Sequence, residues 1–121
     1  MFTFSHPLLI EELIGAHQRG VDVTVAVDYY TGRGAGALAL QTLSKGGIKV
    51  FLSQGQQLLH HKWMVVDNSL LLGSANWTKA AFSVNQDFFL LLHPLSSDQK
   101  KYLKKLCHII RVEANDASMV I

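Results

Sequence analysis

Cysteine is nearly absent from this 121-residue chain: Cys107 stands alone, so no disulfide can form within it and the fold must rest on packing. Prolines are few, Pro7 and Pro94, and no Pro- or Ser-rich linker divides the sequence. Long apolar runs are missing too. The longest, Phe88 to Leu92, is far below the ~20 residues that a membrane-spanning helix needs. Glu11 and Glu12 stand where an export signal would be apolar. With neither signal legible, the cytoplasm is the default compartment, and a lone thiol suits a reducing one. Charge of one sign is also scarce. A net charge of +2 is a weak bias toward anionic partners and lacks the dense basic character of a dedicated nucleic-acid binder. Cys107 and the histidines show no zinc-ligand spacing.

What is present is a chain 49% hydrophobic, long enough for one globular domain with its own core. Ser5 and Pro7 open a helix carrying Leu8, Leu9, Leu13 and Ile14, and Gly20 ends it. Val21 to Asp28 alternates as a strand does. The GRGAG stretch from Gly32 opens a second helix, which ends at Gly46 and Gly47, and Ile48 to Leu52 is a short strand. Leu58 to Val66 reads as a central strand, since Trp63 to Val66 is apolar on both faces. A turn at Asn68 and Ser69 leads to a partner strand, Leu70 to Leu72. A short helix after Asn76, a strand from Phe88 to Leu92 and a helix from Ser96 to Val112 complete the pattern. The expectation is an α/β fold, a mixed, largely parallel β-sheet flanked by helices, with one domain over residues 1–112 and a frayed tail over 113–121.

The stretch HHKWMVVDNSLLLGSAN, His60 to Asn76, carries the chemistry. Side chains two apart on a strand share a face, so His60 and Lys62 emerge together while His61 and Trp63 face the other way. His60 is a nucleophile and Lys62 a fixed positive charge for non-bridging phosphate oxygens. Ser74 and Asn76, again two apart, can donate to the same oxygens as charge builds on phosphorus. Asp67 falls on the face opposite His60, at the strand end, and reads as structural. This is equipment for attacking a phosphodiester, and it needs no metal or other cofactor.

HxKxxxxD followed by GSxN resembles the signature of the phospholipase D superfamily, the HKD phosphodiesterases. His60, Lys62 and Asp67 match the first part, and Gly73, Ser74 and Asn76 the second. GVDVTVAVD (Gly20 to Asp28), TGR (Thr31 to Arg33) and NWTKAA (Asn76 to Ala81) resemble the small bacterial endonuclease of that superfamily. Two departures stand out. One residue fewer than usual separates Asp67 from Gly73, so the turn must be tight, and Asp87 stands where relatives often carry Glu. The resemblance implies a phospholipase D-like fold and a phosphohistidine on His60, with a second His protonating the leaving oxygen and then activating water. No second HxK exists here. The acid is therefore expected from His60 of a second copy in a homodimer, or from another HKD chain. Asp87 is the candidate to accept the Nδ1 hydrogen of a His60, and Arg33 is an accessory phosphate contact. Relatives also have a strand and helix upstream of the MFTF start. A truncated reading frame, the second half of a two-motif ancestor and a sheet completed by a partner all remain open.

Three functions follow: a phospholipase D-type hydrolase of a phospholipid headgroup ester, a metal-independent endonuclease of the same superfamily, or a truncated, inactive interaction module. The GRGAG loop lacks a third glycine for dinucleotide binding, because position 37 is Ala. Lys100, Lys101, Lys104 and Lys105 read first as a wet helix face, with anionic lipid or nucleic acid as the minority reading.

Overall fold

The computed structural model describes residues 1–116. In chain order the elements are α1 (Pro7–Gln18), β1 (Thr24–Val27), α2 (Tyr29–Arg33), α3 (Ala37–Lys45), β2 (Lys49–Leu52), β3 (Trp63–Val66), β4 (Ser69–Gly73), α4 (Lys79–Ser83), β5 (Phe89–Leu92), α5 (Ser97–Glu113) and β6 (Asn115–Asp116). They form two three-stranded sheets, ordered β1-β2-β6 and β3-β4-β5, with helices packed against them.

The first sheet holds the larger core. β1 and β2 run parallel, Thr24 opposite Lys49 and Val27 opposite Leu52, and parallel neighbours need a crossover, here supplied by α2 and α3. Both strands alternate, so Val25, Val27, Val50 and Leu52 are buried. They pack with Ile10 of α1 and with Ala39, Leu40 and Leu43 of α3. Each such large side chain stabilises the fold by roughly 1.5–3 kcal/mol relative to an exposed position. Where α2 meets this core only glycine fits: a Cβ on Gly32 would lie 2.5 Å from Leu52 Cδ2 and 2.9 Å from Leu40 Cδ1.

The second sheet is a meander. β3 and β4 form a hairpin in which Val66 pairs with Ser69, so the two-residue loop is Asp67–Asn68, one residue earlier than the sequence pattern suggested. Asp67 sits at φ 50, in the left-handed region that a tight hairpin demands of its loop. This is how the shortened spacing before Gly73 is accommodated. α5 lays Leu103 against Leu70 and Leu95. Its start is a capping box: Ser96 Oγ accepts from the Gln99 N–H, and Gln99 Oε1 accepts from the Ser96 N–H.

Several expectations are corrected. Among the described residues the sheet pairing is not largely parallel: parallel pairing is confined to the β1–β2 ladder and a single Phe4–Trp77 bridge, while β2–β6, β3–β4 and β4–β5 are antiparallel. The two-residue loop forces this for β3–β4, because so short a connection can only return the chain antiparallel, whereas β4–β5 and β2–β6 are joined by long stretches and owe their direction to tertiary packing. β3 is not central but lies at the edge of its sheet, with Val65 and Val66 exposed. α2 was not foreseen; the Gly-rich stretch begins inside it rather than opening α3. Of the expected tail, Glu113 ends α5 and Asn115–Asp116 pairs with β2, while residues 117–121 lie outside the described residues. Among the described residues no helix is long and apolar enough to cross a membrane.

Candidate active site

Residues 58–62 precede β3 and belong to no ladder, so their position depends on tethers. The Leu59 N–H donates to Asp28 Oδ1 at 2.9 Å. The Phe2 N–H donates to the His61 carbonyl at 2.8 Å. The Phe2 ring lies against the His60 ring, centroids 4.5 Å apart. Although the strand proper starts later than expected, the alternation holds. Lys62 Nζ stands 3.3 Å from His60 Nδ1 and 3.4 Å from Nε2, and 5.4 Å from the Phe2 ring centroid. His60 is exposed, so the imidazole and ammonium together face solvent.

On the other side of the segment, the Trp63 Nε1–H donates to His61 Nδ1 at 3.0 Å. That bond requires a lone pair on Nδ1, hence a neutral ring. Burial, aided by the charge of the terminal amino group, lowers the His61 pKa from 6.5 and favours the same form. His61 is thus half-buried structure, as its place on the strand implied.

The second half of the motif follows β4. Ser74 Oγ donates to Asp87 Oδ1 at 2.6 Å and accepts from the Phe88 N–H at 3.1 Å, while the Ser74 N–H donates to the Phe88 carbonyl at 3.2 Å. The single hydroxyl hydrogen of Ser74 is therefore committed to Asp87. Asn76 Oδ1 accepts from the Thr3 N–H at 3.2 Å, leaving its Nδ2 as the donor end. Phe2 and Thr3 thus tie the His60–Lys62 segment and the GSxN segment to one stretch of chain, which is what gathers the two halves. α4 begins at Lys79 as expected, with Thr78 Oγ1 accepting from the Ala81 N–H.

Gly73 has a steric role. It is paired with Phe89, and a Cβ there would overlap the Phe88 carbonyl oxygen and stand 3.0 Å from its carbon. The remaining candidates separate. Within the chain Asp87 pairs with Ser74, to which the β4–β5 register brings it, and not with this chain's own His60. Arg33, exposed at the end of α2, donates to the Tyr29 hydroxyl with its guanidinium 5.1 Å from that ring. Asp67 acts through its turn conformation. Phe2 and Asp28 escaped notice in the sequence. Asp28 had a signal: an acid directly after a strand is a candidate N-cap. Phe2 had none, since nothing local says what its ring will touch. Among the described residues no group of three or more His, Cys, Asp or Glu side chains is placed to hold a metal ion.

Comparison with known proteins adds the lineage. Residues 1–108 match the family model described as cardiolipin synthase, PLD-like domain. The chain is 37% identical over 94 residues to the mitochondrial cardiolipin hydrolase of Xenopus laevis, covering 75% of this chain and 43% of that protein. It is 38% identical over 93 residues to that of Homo sapiens, covering 75% of this chain and 36% of that one, so it spans less than half the length of these relatives. In structure it is similar to Nuc, a phospholipase D family member from Salmonella typhimurium, with a TM-score of 0.86 and 26% identity over 95% of this chain and 76% of that one. NucT from Helicobacter pylori shares the fold, with a TM-score of 0.75 and 23% identity over 96% of this chain and 78% of that one. The motif geometry and a match over nearly the whole described chain lead to one conclusion: this protein belongs to the phospholipase D-like family.

Proposed function

We propose that this domain hydrolyses a phosphodiester, with a phospholipid headgroup ester as substrate, through a covalent histidine intermediate. The observation that carries the reading is the exposed His60 imidazole with the Lys62 ammonium against it, 3.3 Å away. Lys62 neutralises a non-bridging oxygen, and a His60 ring nitrogen attacks phosphorus. The P–N bond forms as the bond from phosphorus to the leaving oxygen breaks. That oxygen takes its proton from the His60 of a second copy, which then removes a proton from water. The hydroxide attacks phosphorus, the P–N bond breaks, and His60 is restored. One HxK per chain makes the site complete only in a pair, so the proposal includes a homodimer with Asp87 positioned for the partner's imidazole. The Asn76 amide is a further donor to the phosphate oxygens, and Arg33 an outlying one.

Lipid is favoured over nucleic acid by the low net charge and by the exposed apolar stretch Phe88–Leu92, which follows directly on Asp87. The curated relatives are also named as lipid hydrolases. The test is turnover of phosphatidylcholine and cardiolipin vesicles beside plasmid DNA, in excess chelator, for the wild type and for His60→Ala. Lipid hydrolysis that falls at least about a thousandfold in the variant is expected. DNA cleavage alone would move the substrate to nucleic acid. No turnover of either would leave an interaction module, and an active monomer by light scattering would end the shared-site mechanism.

A further inference from the structure

We infer that Asp28 is a positioning residue for catalysis, whose carboxylate sets where the His60 imidazole stands. Among the described residues Asp28 is the one buried charged side chain, with 0% exposure. A carboxylate is costly to bury unless its oxygens are bonded, and here three peptide N–H groups converge on it. Oδ2 accepts from Tyr30 at 3.0 Å and Thr31 at 3.2 Å, which is ordinary capping of α2. Capping does not account for the third bond. Oδ1 accepts from the Leu59 N–H at 2.9 Å, across 31 residues of sequence, in a segment outside any ladder, and the next residue is His60.

One carboxylate thereby bolts the segment carrying the nucleophile to the end of β1 and the start of α2. The other nearby restraints, the Phe2 N–H on the His61 carbonyl and the Phe2 ring on His60, act on the ring itself and on the residue after it. On the N-terminal side the tethers beyond Leu59 lie further back, the Tyr29 N–H on Ser53 Oγ and the Tyr30 hydroxyl on the Gly55 carbonyl, so losing the Leu59 bond leaves residues 56–59 without a fixed point next to His60. Misplacing a reacting group by about 1 Å can reduce rate on the order of a hundredfold. The inference rests on the hydrolase reading above, with Asp28 acting through His60 and not on substrate.

Asp28→Asn and Asp28→Ala separate this role from capping. Asn remains a good cap through its carbonyl oxygen, but its amide nitrogen then meets the Leu59 N–H, donor against donor. Ala loses all three bonds. Amide exchange at Leu59, the His60 ring proton resonances, the melting temperature and steady-state kinetics are measured together. The expected result is kcat reduced about 10–100-fold in both variants with KM changed less than about twofold, whereas the melting temperature falls further in Asp28→Ala, which loses all three bonds, than in Asp28→Asn. Leu59 protection is lost and the His60 resonances shift in both. Unchanged His60 resonances in the folded Ala variant, or kcat losses that merely follow the melting temperature, would overturn the assignment. If the wild type hydrolyses no diester, the hydrolase reading fails by itself, while exchange at Leu59 and the His60 resonances still decide whether Asp28 positions the ring.

Discussion

Replacing Gly73 by Ala introduces a single methyl group at the point where β4 and β5 are closest. The ideal Cβ overlaps the Phe88 carbonyl oxygen and lies 3.0 Å from the Phe88 carbonyl carbon and 3.1 Å from Phe89 Cα. These are backbone atoms, so no rotamer change relieves the contact. Gly73 is not among the positive-φ glycines, which are Gly20, Gly47 and Gly55. The backbone conformation therefore admits Ala, and the whole penalty is steric. Overpacking costs about 1–3 kcal/mol. Moving β5 away also stretches the Ser74 N–H to Phe88 carbonyl bond at 3.2 Å and the Phe88 N–H to Ser74 Oγ bond at 3.1 Å. Each contributes about 1 kcal/mol net, and weakening each by about half brings the expected loss to about 2–4 kcal/mol in all. Equilibrium urea unfolding measures it. With a slope of roughly 1–3 kcal/mol per molar, the midpoint should fall by on the order of 1–2 M with the slope unchanged. A midpoint within about 0.2 M of wild type would show that β5 yields freely and that glycine here is not a packing requirement. Because Ser74 and Asp87 ride on the same pairing, turnover should fall as well.

Asp67→Val places a β-branched residue at φ 50 and should destabilise the hairpin by about 1–3 kcal/mol, whereas Asp67→Gly should be tolerated. Urea midpoints compare them, and equal midpoints would remove the turn role given to Asp67. His61 predicts a pH dependence. Its folded pKa is lowered, so the unfolded chain takes up the proton first as pH falls through 6.5. The contribution is complete above that value and is lost progressively below it. Melting temperatures between pH 7 and pH 5 should fall less steeply in His61→Gln than in wild type; parallel curves would assign the acid sensitivity to another group.

The elements legible in the sequence were those governed by neighbours along the chain. The start of α5 at Ser96, the period-two pattern of β1, and the Gly20 stop after α1 each depend on contacts within a few residues. The same locality made the His60–Lys62 face predictable, because two residues of extended chain return a side chain to the same side. α2 was missed because five residues, two of them glycine and threonine, carry no amphipathic signal, and only the Asp28 cap marks them.

Residue identities and short-range geometry, then, were enough to set the His60 imidazole beside the Lys62 ammonium and to single out the GSxN segment. Assembly was decided elsewhere. That Asp87 meets Ser74 within the chain depended on the β4–β5 register, and the edge position of β3 depended on β4 pairing with β5 on its other side. The roles of Phe2 and Asp28 depended on bonds spanning tens of residues. Such contacts are selected by the joint packing of two sheets, which no window of sequence contains.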